Sequence, residues 1–526
     1  MKSIFLLSLS VCLFTCSNNL LATERIDPAG IGGSLVISGA GRPVGAHRPF
    51  YELAQGKQAR VVILRFDSDE FTETETLQIL KSWEAIGGRS LEIFRVGGEI
   101  DPAAAIASMK SATGVWLVTA ELGKLTADFV GDQVQTALHA LLDRGGVVGG
   151  EGAAADAFSE ALDLLPASFI DSQTTLRYSA SPVRQALQKQ PSLVGYEIAL
   201  DAALIVTGRR LRVVGDGKVR IHLAASTRRD ASVIELGNSR AKADLTALRL
   251  AAIARQAEPI PAAQPPSPDV VKGTLIIIGG GGMPKGIISK FVELAGGDEA
   301  SIVVLPTANP DPISEREGIE GAFRKAGAKT VTVLRGRTLD KVDSEEYLEV
   351  LRNATGLWFG GGRQWRFADA YLDTRALAAM HAVLARGGVI MGSSAGASIQ
   401  ADYLARANPL GNLDIMAEGY ERGLGFIGGV AIDQHFAQRR RFKDMSSLVD
   451  QYPQLLGIGI DEGTALIVEG KIGKVEGKSA VHFYDRNKPV TEGKPDYESV
   501  GDGGSYDLVA RKILKLGEGV GARQNE

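Results

Sequence analysis

GSLVISGAG at 33–41 returns as GTLIIIGGG at 273–281, and the segments that follow return with it. ARVVILRFDS is answered by ASIVVLPTAN, SATGVWLVTA at 111–120 by NATGLWFGGG at 353–362, and LLDRGGVVGGEGAAAD by VLARGGVIMGSSAGAS. Gly145 and Gly387 lie 242 positions apart, as do Thr113 and Thr355. ALIV at 203–206 and ALIV at 465–468 lie 262 apart, so the second copy holds about twenty additional residues in between. A chain written twice is constrained to fold as two bodies on one plan. In each copy, short apolar strands ending in glycine alternate with amphipathic helical stretches such as TETLQILKSWEAIGG and ALAAMHAVLARGG. That alternation predicts an α/β fold of two tandem parallel-sheet domains in three layers, one sheet per copy with helices on both faces. In such sheets, sites form at the carboxyl ends of the strands.

The proline-rich stretch QAEPIPAAQPPSPDVVKG separates the copies, which places domains at 30–255 and 273–515 with an extended linker at 256–272. The opening residues carry Lys2, an apolar run from Ile4 to Phe14 and a polar tail, the pattern of an export signal over residues 1–22. Cleavage is expected after Ser17 or Ala22. Anchoring by lipid at Cys16 is disfavoured, because Phe14 and Thr15 make a poor lipobox. No later segment is long and apolar enough to span a bilayer, so the expected location is periplasmic or secreted. Both cysteines, Cys12 and Cys16, lie in the leader, which leaves no disulfide, no thiol nucleophile and no thiolate metal site. With six histidines and none in HExxH spacing, a metallohydrolase is not expected. The net charge of -4 gives no reason to expect a nucleic-acid partner. Homo-oligomerisation stays open.

Gly392-Ser393-Ser394-Ala395-Gly396 joins an apolar strand to a helix and matches G-x-S-x-G. In such an elbow the glycines let a strained turn approach its neighbours, the serine hydroxyl stands at the sheet's mouth, and the following N–H faces an oxyanion. The first copy has Gly152 opposite Ser394, and VTA at 118–120 where the second has GGG at 360–362. The turn is kept and the hydroxyl is not, so the first copy reads as scaffold and the second as site.

An elbow serine needs a histidine, and the histidine an acid to orient it. His381 falls mid-helix and is expected on an outer face; His482 falls in a strand. His435, in GGVAIDQHFAQRRRF, directly follows an apolar strand, where a catalytic loop belongs. LLGIGIDEGTALIV offers Asp461 and Glu462 between two apolar runs. Gln173 aligns with His435 and Leu200 with Glu462, so all three functional positions are lost together in the first copy.

GSSAGA, DQHF followed by arginines, and GIDEGTAL, in this order, resemble cyanophycinase and related serine exopeptidases. The resemblance covers roughly 273–485 and, more weakly, the first copy. It implies a flavodoxin-like fold akin to class I glutamine amidotransferases, with Ser394 as nucleophile, His435 as general base and Glu462 as its orienter. It implies oxyanion donors at the Ala395 and Gly362 N–H groups, and substrate contacts from Gln364, Asp433, Gln434, Arg439, Arg441 and Thr464. Two positions depart from the family pattern: Arg363, where Asp or Asn is usual, and Asp444, where a third arginine is usual. Arginine forks suit carboxylates, so Arg439 and Arg441 are expected to reach a substrate carboxylate. Asp444 is expected to repel a second carboxylate or attract a substrate arginine.

The function expected is that of an exported serine peptidase. It would cleave aspartyl peptides, β-aspartyl and cyanophycin-type above all, through an acyl-enzyme, a reaction that needs neither a metal nor an organic cofactor. The rivals are the same mechanism on other small Asp-containing peptides, and a peptide-binding module without turnover.

Overall fold

The computed structural model describes residues 26–40, 45–66, 81, 83, 87–96, 102–119, 131–159, 161–174, 181–237, 242–313 and 318–518; the expected leader and Cys16 lie outside them. Two large sheets dominate. In the first, strands run in the order Ser90–Val96, Arg60–Phe66, Gly114–Thr119, Val147–Glu151, Ser34–Ser38, Ala202–Thr207, Arg210–Gly215 and Ala243–Asp244. In the second the order is Thr330–Val333, Ser301–Leu305, Gly356–Phe359, Val389–Ser393, Val270–Ile278, Thr464–Gly470, Ile472–Gly477, Ser505–Asp507 and Lys512–Lys515. In each, the first five strands are parallel and the rest are added antiparallel. The antiparallel hairpins pack beside the parallel strands because a two-residue turn, unlike a crossover helix, returns the chain to its neighbour.

The period of two explains how one strand serves two cores. Leu275 and Ile277 join a core with Leu305, Phe359, Met380 and Leu384, while Ile276 and Ile278 join another with Phe291, Val292, Phe323 and Trp358. Helices Glu345–Asn353 and Arg375–Ala385 cover the first face, and Ile287–Leu294 and Ile319–Lys325 the second. The expectation of one sheet per copy needs correcting, since each half has a second, smaller sheet. In the carboxyl-terminal half it holds Ala401–Tyr403, Ile427–Gln434, Leu456–Ile460, Val481–Asp485 and Glu498–Val500. Ile432, Ile458 and Phe483 face the large sheet's core; Ala431 and Tyr484 face helix Phe442–Gln451 through Met445 and Leu448.

The small sheets share a register. Phe169 pairs with Gly195 and Gly195 with His222; at the same offset Ala431 pairs with Gly457 and Gly457 with Tyr484. The proline-rich stretch is not a free tether. Pro266 lies directly over Gly428 and Gly429, Ile260 joins the core beneath helix Phe442–Gln451, and the Ala262 carbonyl accepts from Gln454 at 3.2 Å.

Candidate active site

Strand Val389–Ser393 ends one residue before helix Ala395–Ser398, and the residue between them is Ser394, at φ 56 and ψ -114. A serine in this region is strained by about 1–3 kcal/mol. The turn is held by the Ser394 N–H donating to the Ile278 carbonyl at 3.0 Å. Its glycines are steric necessities: a methyl at Gly392 would overlap the Gly396 carbonyl, and one at Gly396 the Phe359 carbonyl. The turn therefore presents Ser394 rather than Ser393, which is the last strand residue.

Strand Ile427–Gln434 delivers His435 to the same point. The Ser394 hydroxyl lies 3.0 Å from His435 Nε2, and His435 Nδ1 lies 2.6 Å from Glu462 Oε1. The Nδ1–H donating to the carboxylate fixes the tautomer that leaves Nε2 free to accept from the serine. Burial lowers the His435 pKa below its ordinary value; the Glu462 hydrogen bond raises it and the Arg439 charge lowers it again. The net direction keeps the imidazole neutral, and so able to take a proton, down to mildly acidic pH.

A glycine run beneath these groups makes room for them. A methyl at Gly280 would overlap the His435 ring, 2.3 Å from its Cε1, and one at Gly281 would overlap the Glu462 side chain. The Gly279 carbonyl accepts from the His435 N–H at 2.7 Å, and the Gly280 carbonyl from Gly463 N–H at 2.8 Å. Gly279, Gly280 and Gly281 are site residues that the three motifs do not include. Their signal was the doubled pair at 279–282, where the first copy has Gly39-Ala40-Gly41-Arg42.

Of the two acids in GIDEGTAL, Asp461 is a brace. Its carboxylate accepts from Ala437 N–H at 2.9 Å and Ser479 Oγ at 2.6 Å, with His482 Nε2 at 3.3 Å. It thereby ties the loop after His435 to the loop carrying Glu462. Gln438 adds a second tie, its Oε1 accepting from Glu462 N–H at 2.9 Å. His381 is not on an outer face; its Nε2 lies 2.8 Å from the Leu424 carbonyl and its ring against Phe426. Among the described residues, neither the Ala395 nor the Gly362 N–H has an acceptor within the protein.

Several residues expected to meet substrate face inward instead. Asp433 is fully buried and accepts from Arg406 Nε at 2.8 Å, Arg441 Nη1 at 2.7 Å and Gln434 N–H at 3.0 Å. Arg441 is 4% exposed and also donates to the Gln434 carbonyl at 2.7 Å. Thr464 is fully buried, its hydroxyl accepting from Ser479 N–H at 3.0 Å. Gln364 donates to the Ala405 and Arg406 carbonyls at 2.8 and 2.9 Å. Asp444 is not a free charge, because it accepts from Arg406 Nη2 at 2.5 Å. The physical reason for the buried ones is common: a buried charge or donor must find a partner within the protein. Arg363 likewise holds a loop, donating to the Asn408 and Gly411 carbonyls at 2.9 and 2.7 Å. Arg439 is exposed beside His435, and the Gln434 side-chain oxygen is buried without a partner.

The sequence profile described as Peptidase family S51 matches residues 275–475. The cyanophycinase of Geminocystis herdmanii is 30% identical over 221 residues, which are 41% of this chain and 81% of that protein. The cyanophycinase of Thermosynechococcus vestitus is 30% identical over 264 residues, 46% of this chain and 81% of that one. Among solved structures, a peptidase from an acI-B1 actinobacterium covers 45% of this chain and 97% of its own, at 21% identity and a TM-score of 0.35.

Proposed function

The chain belongs to peptidase family S51, and from that premise we propose that it hydrolyses aspartyl peptides, β-linked ones foremost, through an acyl-enzyme on Ser394. The observation that carries this reading is the hydrogen-bonded chain from Ser394 Oγ through both His435 nitrogens to Glu462. Ser394 Oγ attacks the scissile carbonyl carbon while His435 Nε2 takes its proton; the new oxyanion lies between the Ala395 and Gly362 N–H groups. The imidazolium, stabilised by Glu462, returns the proton to the leaving amine, and water repeats the sequence on the ester. The cyanophycinase relatives support an aspartyl substrate, and Arg439 is the exposed cation beside His435 that suits its carboxylate.

The amino-terminal half is read as a duplicated copy without activity. The shared strand order and register support the duplication, and Gly152, Gln173 and Leu200 at the three functional positions support its silence. Export belongs to the same proposal, supported by Lys2 and the apolar run from Ile4 to Phe14. The test is turnover of matched β-aspartyl and α-aspartyl peptides, with peptide mapping of a fluorophosphonate label. Ser394-dependent cleavage of the β-linked series is expected; a label elsewhere, or none, overturns the reading.

A further inference from the structure

We infer that Arg209, a residue of the amino-terminal half, is a positioning residue for hydrolysis in the carboxyl-terminal half. The inference rests on the proposed role of Gly362 as an oxyanion donor. Arg209 sits in the turn between strands Ala202–Thr207 and Arg210–Gly215 and reaches out of its own half. Its Nη1 donates to Asp369 Oδ2 at 2.6 Å and its Nη2 to the Tyr420 hydroxyl at 2.6 Å. Tyr420 in turn donates to Asp369 Oδ1 at 2.6 Å, and the guanidinium carbon stands 4.6 Å from the Trp365 ring centre. On its home side the fork grips both oxygens of Asp244, at 2.7 and 2.8 Å, and Asp244 caps helix Leu245–Ala254. Both faces of the guanidinium's bonding fork are thus filled, one half on each side.

What Arg209 holds matters more than how firmly. Asp369 and Trp365 belong to helix Trp365–Tyr371, whose cap residue Gln364 follows Gly361-Gly362-Arg363 without a break. A seven-residue helix has too few internal bonds to set its own position in space. It takes that position from its anchors, and Arg209 supplies the charged ones from outside the half. A shift of roughly 1 Å in reacting groups is worth about a hundredfold in rate. The same border contains a natural control. Arg255 donates to Glu418 at 2.6 and 3.2 Å, in a segment that carries none of the proposed catalytic groups.

The experiment uses the full chain and four variants: Arg209→Ala, Arg209→Lys, Asp369→Asn and Arg255→Ala. Melting temperature, kcat, KM and the rate of Ser394 labelling by a fluorophosphonate are measured below every variant's transition. Arg209→Ala is expected to lower kcat and labelling together by roughly 10- to 100-fold, with KM within about threefold. Lysine keeps the charge but cannot fork between Asp244 and Asp369, so Arg209→Lys should recover only part of the loss. Arg255→Ala should lower the melting temperature while kcat stays within about twofold. If Arg209→Ala cannot be purified folded, Asp369→Asn decides on the same criteria. A kcat within about twofold of wild type, or an equal loss in Arg255→Ala, overturns the inference. Absence of Ser394-dependent turnover in the wild type would instead overturn the proposed function, with the labelling rates still reporting on Arg209.

Discussion

Gly152 and Ser394 hold one backbone conformation in the two halves: φ 55 and ψ -129 for the glycine, φ 56 and ψ -114 for the serine. Each donates its N–H to the last residue of the neighbouring strand, Ser38 in one case and Ile278 in the other, at 3.1 and 3.0 Å. Two positions further along that neighbouring strand's exit, the halves part. Gly280 leaves space for the His435 ring, whereas Ala40 puts a methyl 3.3 Å from where a Gly152 side chain would begin. The amino-terminal half has the same turn with the space beside it closed.

Giving the amino-terminal half a reactive serine is therefore expected to take four changes and not three. In a Ser394→Ala background, Gly152→Ser with Gln173→His and Leu200→Glu is expected to take no fluorophosphonate label. Label should appear only when Ala40→Gly is added. Labelling of the triple variant would show that the methyl is no obstacle.

Ser394→Ala should lower kcat by roughly ten-thousandfold or more, as removal of a serine nucleophile does, with the melting temperature held or raised. Ser393→Ala should stay within about tenfold of wild type, because the elbow aims the following residue outward. Equal losses in the two variants would remove Ser394 from its role.

Gly280→Ala should cost roughly a hundredfold in kcat while KM changes little, since the added methyl displaces the imidazole from Ser394. Gly282→Ala is the control, for it meets no atom within 4 Å although its φ of 119 makes it strained. Both variants lose some stability, and the comparison isolates the imidazole.

The acid limb of kcat/KM should fall below the ordinary histidine value of about 6.5. The sign follows from burial and the Arg439 charge, both of which disfavour imidazolium and so preserve the neutral base as pH falls. Arg439→Gln should move the limb upward, so that on top of any uniform loss from its substrate contact the activity near pH 5 falls further than that near pH 8. Because Arg439 is exposed, added salt should move the wild-type limb the same way. A limb that ignores both changes would mean that another group titrates.

Arg441→Ala should act on stability before selectivity. It removes one of two arginines that neutralise the fully buried Asp433, and breaking a buried ion pair from one side typically costs about 3–5 kcal/mol. Asp444→Asn should cost less, since its side chain is 45% exposed and the Arg406 pair is partly solvated. Calorimetry gives the stabilities, and the β/α ratio of kcat/KM is expected to hold in both variants. A changed ratio with an unchanged melting temperature would return these residues to the substrate.

The contrast between what sequence conveys and what it conceals is sharpest around His435. GGVAIDQHF announces a strand and the residue at its exit, because apolar period and a following polar residue are local facts. The elbow at Ser394 is local too, written in two glycines four positions apart. The parallel strands of the large sheets followed from alternation and repetition. Arg441 misled because it folds back over eight residues onto the buried Asp433, and Asp444 because the fold brings Arg406 to it from another segment. The small second sheets were hidden for the same reason, since a run such as LLGIGI reads identically in either sheet. Asp461 and Glu462 are adjacent in sequence, and only the turn between them decides which one meets the histidine.

The proline-rich stretch looks in composition like a place where the gene could be cut. Its residues, however, lie along strand Ile427–Gln434 at Gly428 and Gly429, the end opposite His435, and Val270 already pairs with Gly470. A recombinant catalytic half begun at 273 would start partway along a strand and leave two glycines bare to water. Begun near 258, it would carry its own cover. The modular border of this protein falls just after helix Leu245–Ala254, whose last turn still packs in the amino-terminal core, and upstream of the prolines.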